Sequence, residues 1–324
     1  MEGGGSHTHA LVAEGSGRVR GAAATRDPSN WEDVGFEAAS AAIRACVREA
    51  LASAGIDAGA VTSAVFGLAG VDFPIDEARL GGVPSAIGVR GTVRLVNDAF
   101  VALRAGTDRS HGVVAVAGTG SVVAGRNWAG ETFRTLGLGP VFGDSGSVSE
   151  VSAAAFTAVA DAYLGRAPRT ALTEALLRRS ELPSVGDLLE ATGRGRVDNS
   201  VFAPLVVAAA EAGDAAAAAI LRDAGRRIGA NVAHTVRMLG MGRDGFDLVL
   251  TGGMFRSGST DFVEPVLDSL REAAPGATAQ ILAAPPVAGA VLLALELAGQ
   301  EVGPEVRTAL LDDAPAALGI VSSA

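Results

Sequence analysis

Stretches of strand-like and helix-like patterning alternate along the chain. The segments Ala10 to Glu14 and Val19 to Thr25 read as two strands joined by a Gly15-Ser16-Gly17 turn. From Glu37 to Ala54 apolar positions recur at helical spacing, and Gly55 ends the run. Val61 to Ala69 reads as a buried strand, Asp76 to Ile87 includes a short helix, and Val93 to Val96 is a further strand. Asn97-Asp98 closes that strand, and Ala99 to Ala105 is helical. A β-β-α-β-α-β-α order thus fills residues 1 to about 106.

The same logic then starts again. Val113 to Ala117 is an apolar run bounded by a Gly118-Thr119-Gly120-Ser121 turn, with strands expected at 121 to 125 and 131 to 137. Residues 148 to 240 are almost wholly helical by periodicity, including Val201 to Ala212 and Ala215 to Leu239. Phe246 to Leu250 is a strand ending in Thr251-Gly252-Gly253; a helix over Phe262 to Ala273, a strand over Thr278 to Ala283 and a helix over 287 to 298 follow. Two β-rich starts, each with a glycine turn, predict duplicated α/β domains facing one another across a cleft.

Composition narrows the function. A 324-residue chain suggests roughly two domains. The formal net charge is −10 and the basic residues are scattered, which argues against a nucleic-acid footprint. All 26 basic residues are arginine, so no Schiff-base or Walker-type lysine exists. The single cysteine, Cys46, excludes an internal disulfide and a cysteine-ligated cluster within one chain, and reads as a small buried hydrophobe. The apolar segment Val287 to Gly299 contains Glu296 and is too short to span a bilayer, so no membrane partner is expected and a cytoplasmic location is the default.

Phosphoryl transfer needs phosphate cradles, a base for the acceptor hydroxyl, carboxylates for Mg²⁺ and a nucleoside pocket. Candidates occur in order. Glu2-Gly3-Gly4-Gly5-Ser6 is a glycine turn, Asp98 ends a strand, and Gly118 to Ser121 is a second cradle, although an ordinary hairpin turn would read the same way. Gly143-Asp144-Ser145-Gly146-Ser147 opens a helix, whose amides and dipole favour anions. Thr251 to Phe255 lies between a strand and a helix, which suits an adenosine contact.

With these blocks in order, the chain resembles the BadF/BadG/BcrA/BcrD ATPase family of the sugar-kinase/Hsp70/actin superfamily, and within it the N-acetylglucosamine-kinase-like branch. The residues that carry the resemblance are Gly3 to Ser6, Pro28-Ser29-Asn30, Gly67 to Val71, Asn97-Asp98-Ala99, Ala117 to Ser121, Gly143 to Ser147, Gly252 to Phe255 and Pro286 to Ala290. The resemblance implies two ribonuclease-H-like (actin-like ATPase) domains. The first would span residues 1–106, with a C-terminal helix at about 300–324 as a candidate to return to it. The second would span 107–299 with a helical insertion at about 148–240. It implies a phosphotransferase with an alcohol acceptor, moving the γ-phosphate of ATP to a hydroxyl of a sugar or amino sugar, with Mg²⁺, and a homodimer as a family-level expectation. Asp98 would be the catalytic base, and Asn30, Asn97, Asp98, Gly137 and Asp144 would bind the acceptor. Gly4, Gly5, Ser6, Gly118, Thr119, Gly120 and Ser121 would hold phosphates, Gly252 and Gly253 would border adenine and ribose, and Glu2 would orient Mg²⁺ through water.

Three departures bear on this. Glu2 stands where the family has aspartate, which moves the carboxylate by about 1 Å. Only Met1 precedes the first turn, where the family's first strand lies, so the sequence is expected to begin upstream, or residues Gly3 to Ser6 to be a linker. Leu136-Gly137-Leu138-Gly139 and Ser145 replace an aromatic and a carboxylate on the acceptor side, which argues for a different acceptor. Other readings stay open: an ATPase that activates a partner enzyme, or a nucleotide- or sugar-sensing pseudokinase. His7 and His9 alternate, so they form a metal pair or two plain strand residues; His111 and His234 read as structural; Asp27 reads as a turn former and Asp98, alternatively, as a helix N-cap.

Overall fold

The computed structural model describes residues 1–198 and 200–320. The chain divides into two compact units, one made of Met1–Val114 with the chain from Gln280 onward, the other of Ala115–Ala279.

The first unit contains strands β1 (Glu2–Gly3), β2 (Thr8–Ala13), β3 (Val19–Thr25), β4 (Ser63–Leu68) and β5 (Thr92–Val96), in the sheet order β3-β2-β1-β4-β5. β1 runs antiparallel to β2 and parallel to β4, and β4 is parallel to β5. Parallel neighbours need a crossover rather than a tight turn: the helix Phe36–Ala54 lies in the connection that returns from edge strand β3 to β4, and the helices Pro74–Leu80 and Gly82–Ile87 lie between β4 and β5. Gly55, in the left-handed region at φ 68°, ends that helix as the sequence predicts. Its inner face buries Ile43, Cys46, Ala50 and Leu51 in one core with Phe66 and Leu68. The Cys46 thiol approaches the carbonyls of Thr8 and Ala23 at 3.5 and 3.6 Å, and burial pushes it up to about 11.

The strand expected ahead of the first glycine turn is present in the turn's own first residues. Glu2 and Gly3 form the central strand: Met1 accepts from Gly67 N, Gly3 accepts from Ala69 N, and the Met1 ammonium donates to Val65 O at 2.8 Å. Beyond these residues, positions 10–13 of β2 and 63–66 of β4 line an apolar cavity with Met1, Val47 and Leu51.

The opposite face of this sheet is covered by Val287–Leu297. A side chain at Gly289 would collide with the Val101 carbonyl, so glycine there sets how closely this helix meets the helix Asp98–Gly106. Together with the helix Pro304–Ala317, it buries Ala288, Leu292, Leu295, Leu310 and Ala314. Both helices therefore belong to the first unit; residues 321–324 of the expected C-terminal helix lie outside the described residues.

The second unit repeats the plan. Strands β6 (Gly112–Ala117), β7 (Ser121–Arg126), β8 (Thr132–Arg134), β9 (Asp247–Thr251) and β10 (Thr278–Ile281) form a sheet in the order β10-β9-β6-β7-β8. Read from its other edge this is β8-β7-β6-β9-β10, the same succession of first, second, third, fourth and fifth strands as in the first unit. The strand expected at 131–137 is shorter. Gly137, Gly139, Gly143 and Gly146 all have positive φ, so residues 135–147 form an irregular connection rather than continuing β8. The helical block is legible from its caps: Ser147, Thr170, Ser184 and Asp214 each accept a backbone N–H at the start of a helix. Among the described residues no single helix is long and apolar enough to cross a membrane.

Candidate active site

In the first unit, the candidate residues gather where β4 and β5 end. Asn97 ends the β5 segment and caps the helix Asp98–Gly106 by accepting from Ala99 N at 3.1 Å. Its amide donates to Ala69 O at 3.2 Å and to Asp72 Oδ1 at 2.9 Å, tying the loop after β4 to the helix start. The cap is therefore Asn97. Asp98 is the first helical residue and not the cap, which corrects the alternative reading of that aspartate. Asn97 is buried and its amide is engaged by protein groups on both sides, so it anchors this junction.

The glycine turn between β1 and β2 is clipped to the loop at 27–30. Gly4 O accepts from Ser29 N at 2.9 Å and Asn30 N at 3.2 Å, while Gly4 N donates to His7 O. Thr8, fully buried, donates its hydroxyl to Asp27 O at 2.8 Å and is paired hydroxyl to hydroxyl with Ser29 Oγ, also at 2.8 Å. Asn30 caps the short helix Trp31–Val34 through Glu32 N and donates to Asp33 Oδ2 at 2.9 Å. Trp31 Nε1 donates to Gly70 O at 2.6 Å. The Gly4, Ala69 and Gly70 carbonyls thus link the glycine turn, the Asn30-Trp31 loop and Asn97 step by step, through the Asn30 amide N–H, the Trp31 indole and the Asn97 side-chain amide. Gly5 and Ser6 are exposed at the tip.

Glu2 has a setting its sequence position did not disclose. The antiparallel register places it opposite His9. Its two carboxylate oxygens lie 3.5 Å from His7 Nε2 and His9 Nδ1, ion contacts too long for well-formed hydrogen bonds. Burial alone would raise the Glu2 carboxyl, but the two facing imidazoles outweigh it and hold it at about 2. Mg²⁺ keeps several waters and takes oxygen ligands. A carboxylate that is 5% exposed and flanked by two nitrogen donors does not suit it.

In the second unit, the turn at Gly118 to Ser121 closes with Gly118 N donating to Gly120 O at 2.9 Å. Gly252, at φ 103°, packs against it: a side chain there would overlap the Ala117 carbonyl group. The helix Val148–Tyr163 docks on the other side, through Val148 N to Gly118 O at 2.9 Å and Ser149 Oγ to Thr119 O at 3.0 Å. A side chain at Gly120 would meet nothing within 4 Å, and Thr119, Gly120 and Gly253 are exposed. Ser121 Oγ is buried with no hydrogen-bond partner among the described residues.

The start of the helix Val148–Tyr163 is not an open anion site. Gly146 N donates to Glu150 Oε2 at 2.5 Å, Glu150 N to Ser147 Oγ at 3.1 Å, and Val148 N to Gly118 O. These amides are already taken by the chain's own acceptors. Asp144, 3% exposed, accepts from Leu138 N at 3.0 Å and so fixes the loop that carries Gly137 at φ 75°. Ser145 is buried beside it, and Asn231 donates to Gly143 O.

Sequence reasoning missed the pairing of Glu2 with both histidines, the buried Thr8–Ser29 link and the Asp72–Asn97 tether. The histidine spacing across a short glycine hairpin was the available signal for the first; for the other two, strand register was needed.

Comparison with known proteins agrees with this layout. The chain is 28% identical over 260 residues, 79% of its length and 85% of the relative's, to an N-acetylmuramic acid/N-acetylglucosamine kinase of Clostridium acetobutylicum. It is 30% identical over 267 residues, 78% of its length and 83% of the relative's, to an N-acetyl-D-glucosamine kinase of Dictyostelium discoideum. Its fold matches a solved structure from Chromobacterium violaceum, named as a candidate N-acetylglucosamine kinase, with a TM-score of 0.70 and 22% identity over 90% of this chain and 96% of that one. Residues 1–294 match the BadF/BadG/BcrA/BcrD ATPase family, and the chain belongs to that family.

Proposed function

We propose that the protein is an ATP-dependent kinase that phosphorylates a hydroxyl of a sugar or amino sugar. The observation that carries this reading is the Asn97-Asp98 junction. A buried asparagine makes the cap and both tethers. Asp98 is therefore the first residue of the helix that follows β5, while the cap itself is made by Asn97. Ligands of sheets with parallel strands bind beyond the carboxyl ends of those strands. Kinship with amino-sugar kinases supports the class of acceptor.

Asp98 accepts the proton of the acceptor hydroxyl as its oxygen bonds to the γ-phosphorus, and the bond to the β-phosphate oxygen breaks to release ADP. Positioning dominates such a step, so a carboxylate serves as the base. Gly118, Thr119 and Gly120 offer an open backbone to phosphate, Ser121 supplies a hydroxyl donor, and Gly252 and Gly253 border the nucleoside. Gly5 and Ser6 form the first cradle. Asn30, which the Trp31–Gly70 bond ties toward the Asn97-Asp98 junction, takes part in selecting the acceptor.

An ADP-release screen over N-acetylglucosamine, N-acetylmuramic acid, glucosamine and glucose tests the reading. One of these should stimulate ADP release well above the sugar-free rate. Equal release with every sugar and with none would refute it and point to an ATPase acting on a partner.

A further inference from the structure

The first hairpin carries a cluster of donors for which sugar phosphorylation has no use. Cross-strand pairing sets Glu2 against His9, and His7, two residues earlier, lies on the same face. His7 Nε2 is 3.5 Å from Glu2 Oε1, and His9 Nδ1 is 3.5 Å from Glu2 Oε2. The imidazole centroids are 4.5 Å apart, and one donor atom from each of the three residues lies within 4.8 Å of the other two. Glu2 is 5% exposed. Its Oε2 and the His9 Nδ1 are both buried without a hydrogen-bond partner among the described residues.

These two buried atoms face one another at 3.5 Å, too far for a well-formed hydrogen bond, so neither has one. A divalent cation between them would satisfy both. Ligands at about 2.0–2.1 Å around a tetrahedral ion stand about 3.3–3.4 Å apart, close to the two 3.5 Å imidazole–carboxylate separations, and the 4.8 Å spread of the three donors closes as the imidazoles draw in around the ion. Imidazole nitrogens suit ions of the zinc class, whereas Mg²⁺ and Ca²⁺ take oxygen ligands. Three protein donors leave a fourth position open.

We propose that Glu2, His7 and His9 form a site for one divalent transition-metal ion of the zinc class at the first glycine turn. The site shares the first glycine turn with the cradle of the kinase reading, but its test requires neither nucleotide nor turnover, so its failure and the failure of that reading are distinguishable. Untagged, chelator-stripped full-length protein is titrated calorimetrically with Zn²⁺ alone and Mg²⁺ alone, and spectroscopically with Co²⁺ alone. One Zn²⁺ per chain should bind without nucleotide, excess Mg²⁺ should not displace it, and Co²⁺ should give the visible absorption of a tetrahedral site. His7→Gln and His9→Gln should each weaken Zn²⁺ by at least about tenfold, the loss expected for even an outer-shell partner. His7 has a side chain that is 38% exposed, so its replacement leaves the core intact. Failure of the unaltered chain to bind Zn²⁺ stoichiometrically, displacement by Mg²⁺, or equal affinity in the double His7→Gln/His9→Gln variant would overturn the proposal.

Discussion

In the first unit the hairpin between β1 and β2 is closed from within: its Gly4 carbonyl is taken by the 27–30 loop, Thr8 is fully buried, and a charged glutamate sits beneath it between two histidines. The hairpin between β6 and β7 holds the same place in a sheet of the same strand order, yet its tip is exposed and uncharged, with Gly252 and the Val148–Tyr163 helix packed against the turn. The two sheets share a strand plan and differ in turn chemistry. The second turn leaves its backbone open to close approach. The first combines its glycines with a cluster of nitrogen and oxygen donors.

The largest effect on this contrast should come from Gly252→Val. Its positive φ and its contact with the Ala117 carbonyl group leave no room for a side chain, so stability should fall by more than about 2 kcal/mol with loss of ATP binding. Chemical denaturation and nucleotide titration would measure both; an unaffected variant would show that the second turn is not braced in this way. Glu2→Gln probes the first turn. The folded carboxyl at about 2 lies below its ordinary 4.5, so ionisation stabilises the folded state. That gain is complete above pH 4.5 and is lost as pH falls through about 2. In metal-free protein the stability gap between the parent and Glu2→Gln should therefore narrow across that window, and a pH-independent gap would contradict the charged-cluster account.

A reference point outside both hairpins is Asp214, which caps the helix Ala215–Met238 and also accepts from Thr170 Oγ1 and Ala171 N. Asp214→Ala should cost about 1–2 kcal/mol without altering nucleotide affinity. Although burial opposes it, the hydrogen bonds from Ala217, Ala171 and Thr170 lower the Asp214 carboxyl. The contribution is therefore present above the ordinary aspartate range and lost as pH drops below it. Smaller still is Gly120→Ala, which should change stability by less than about 0.5 kcal/mol while raising the KM for ATP, since its side chain would meet only open space. Cys46 lies under the first hairpin and should resist thiol reagents at about pH 8 until the unit unfolds.

Much of this fold was legible in the sequence. The helical block over 148–240 was legible from its periodicity, and the Phe36–Ala54 helix from its periodicity and Gly55. What was hidden depends on long-range pairing. A two-residue strand such as Glu2–Gly3 has no local pattern and gains its central place only from neighbours at positions 8–9 and 67–68. The choice of Asn97 over Asp98 as cap was set by a one-residue register, and the occupied amides before Val148 by the reach of Glu150. In each case the residue types were visible and their partners were not.

The central claim, sugar phosphorylation with Asp98 as the base, is tested most directly by ³¹P NMR of products from ATP and the stimulating sugar, comparing the parent chain with Asp98→Asn. The account predicts one sugar phosphate per ADP. It also predicts a loss of about 10²–10⁴-fold in kcat for the variant, with ATP still bound and the fold unchanged. Inorganic phosphate as the sole product, or undiminished turnover in Asp98→Asn, would contradict it.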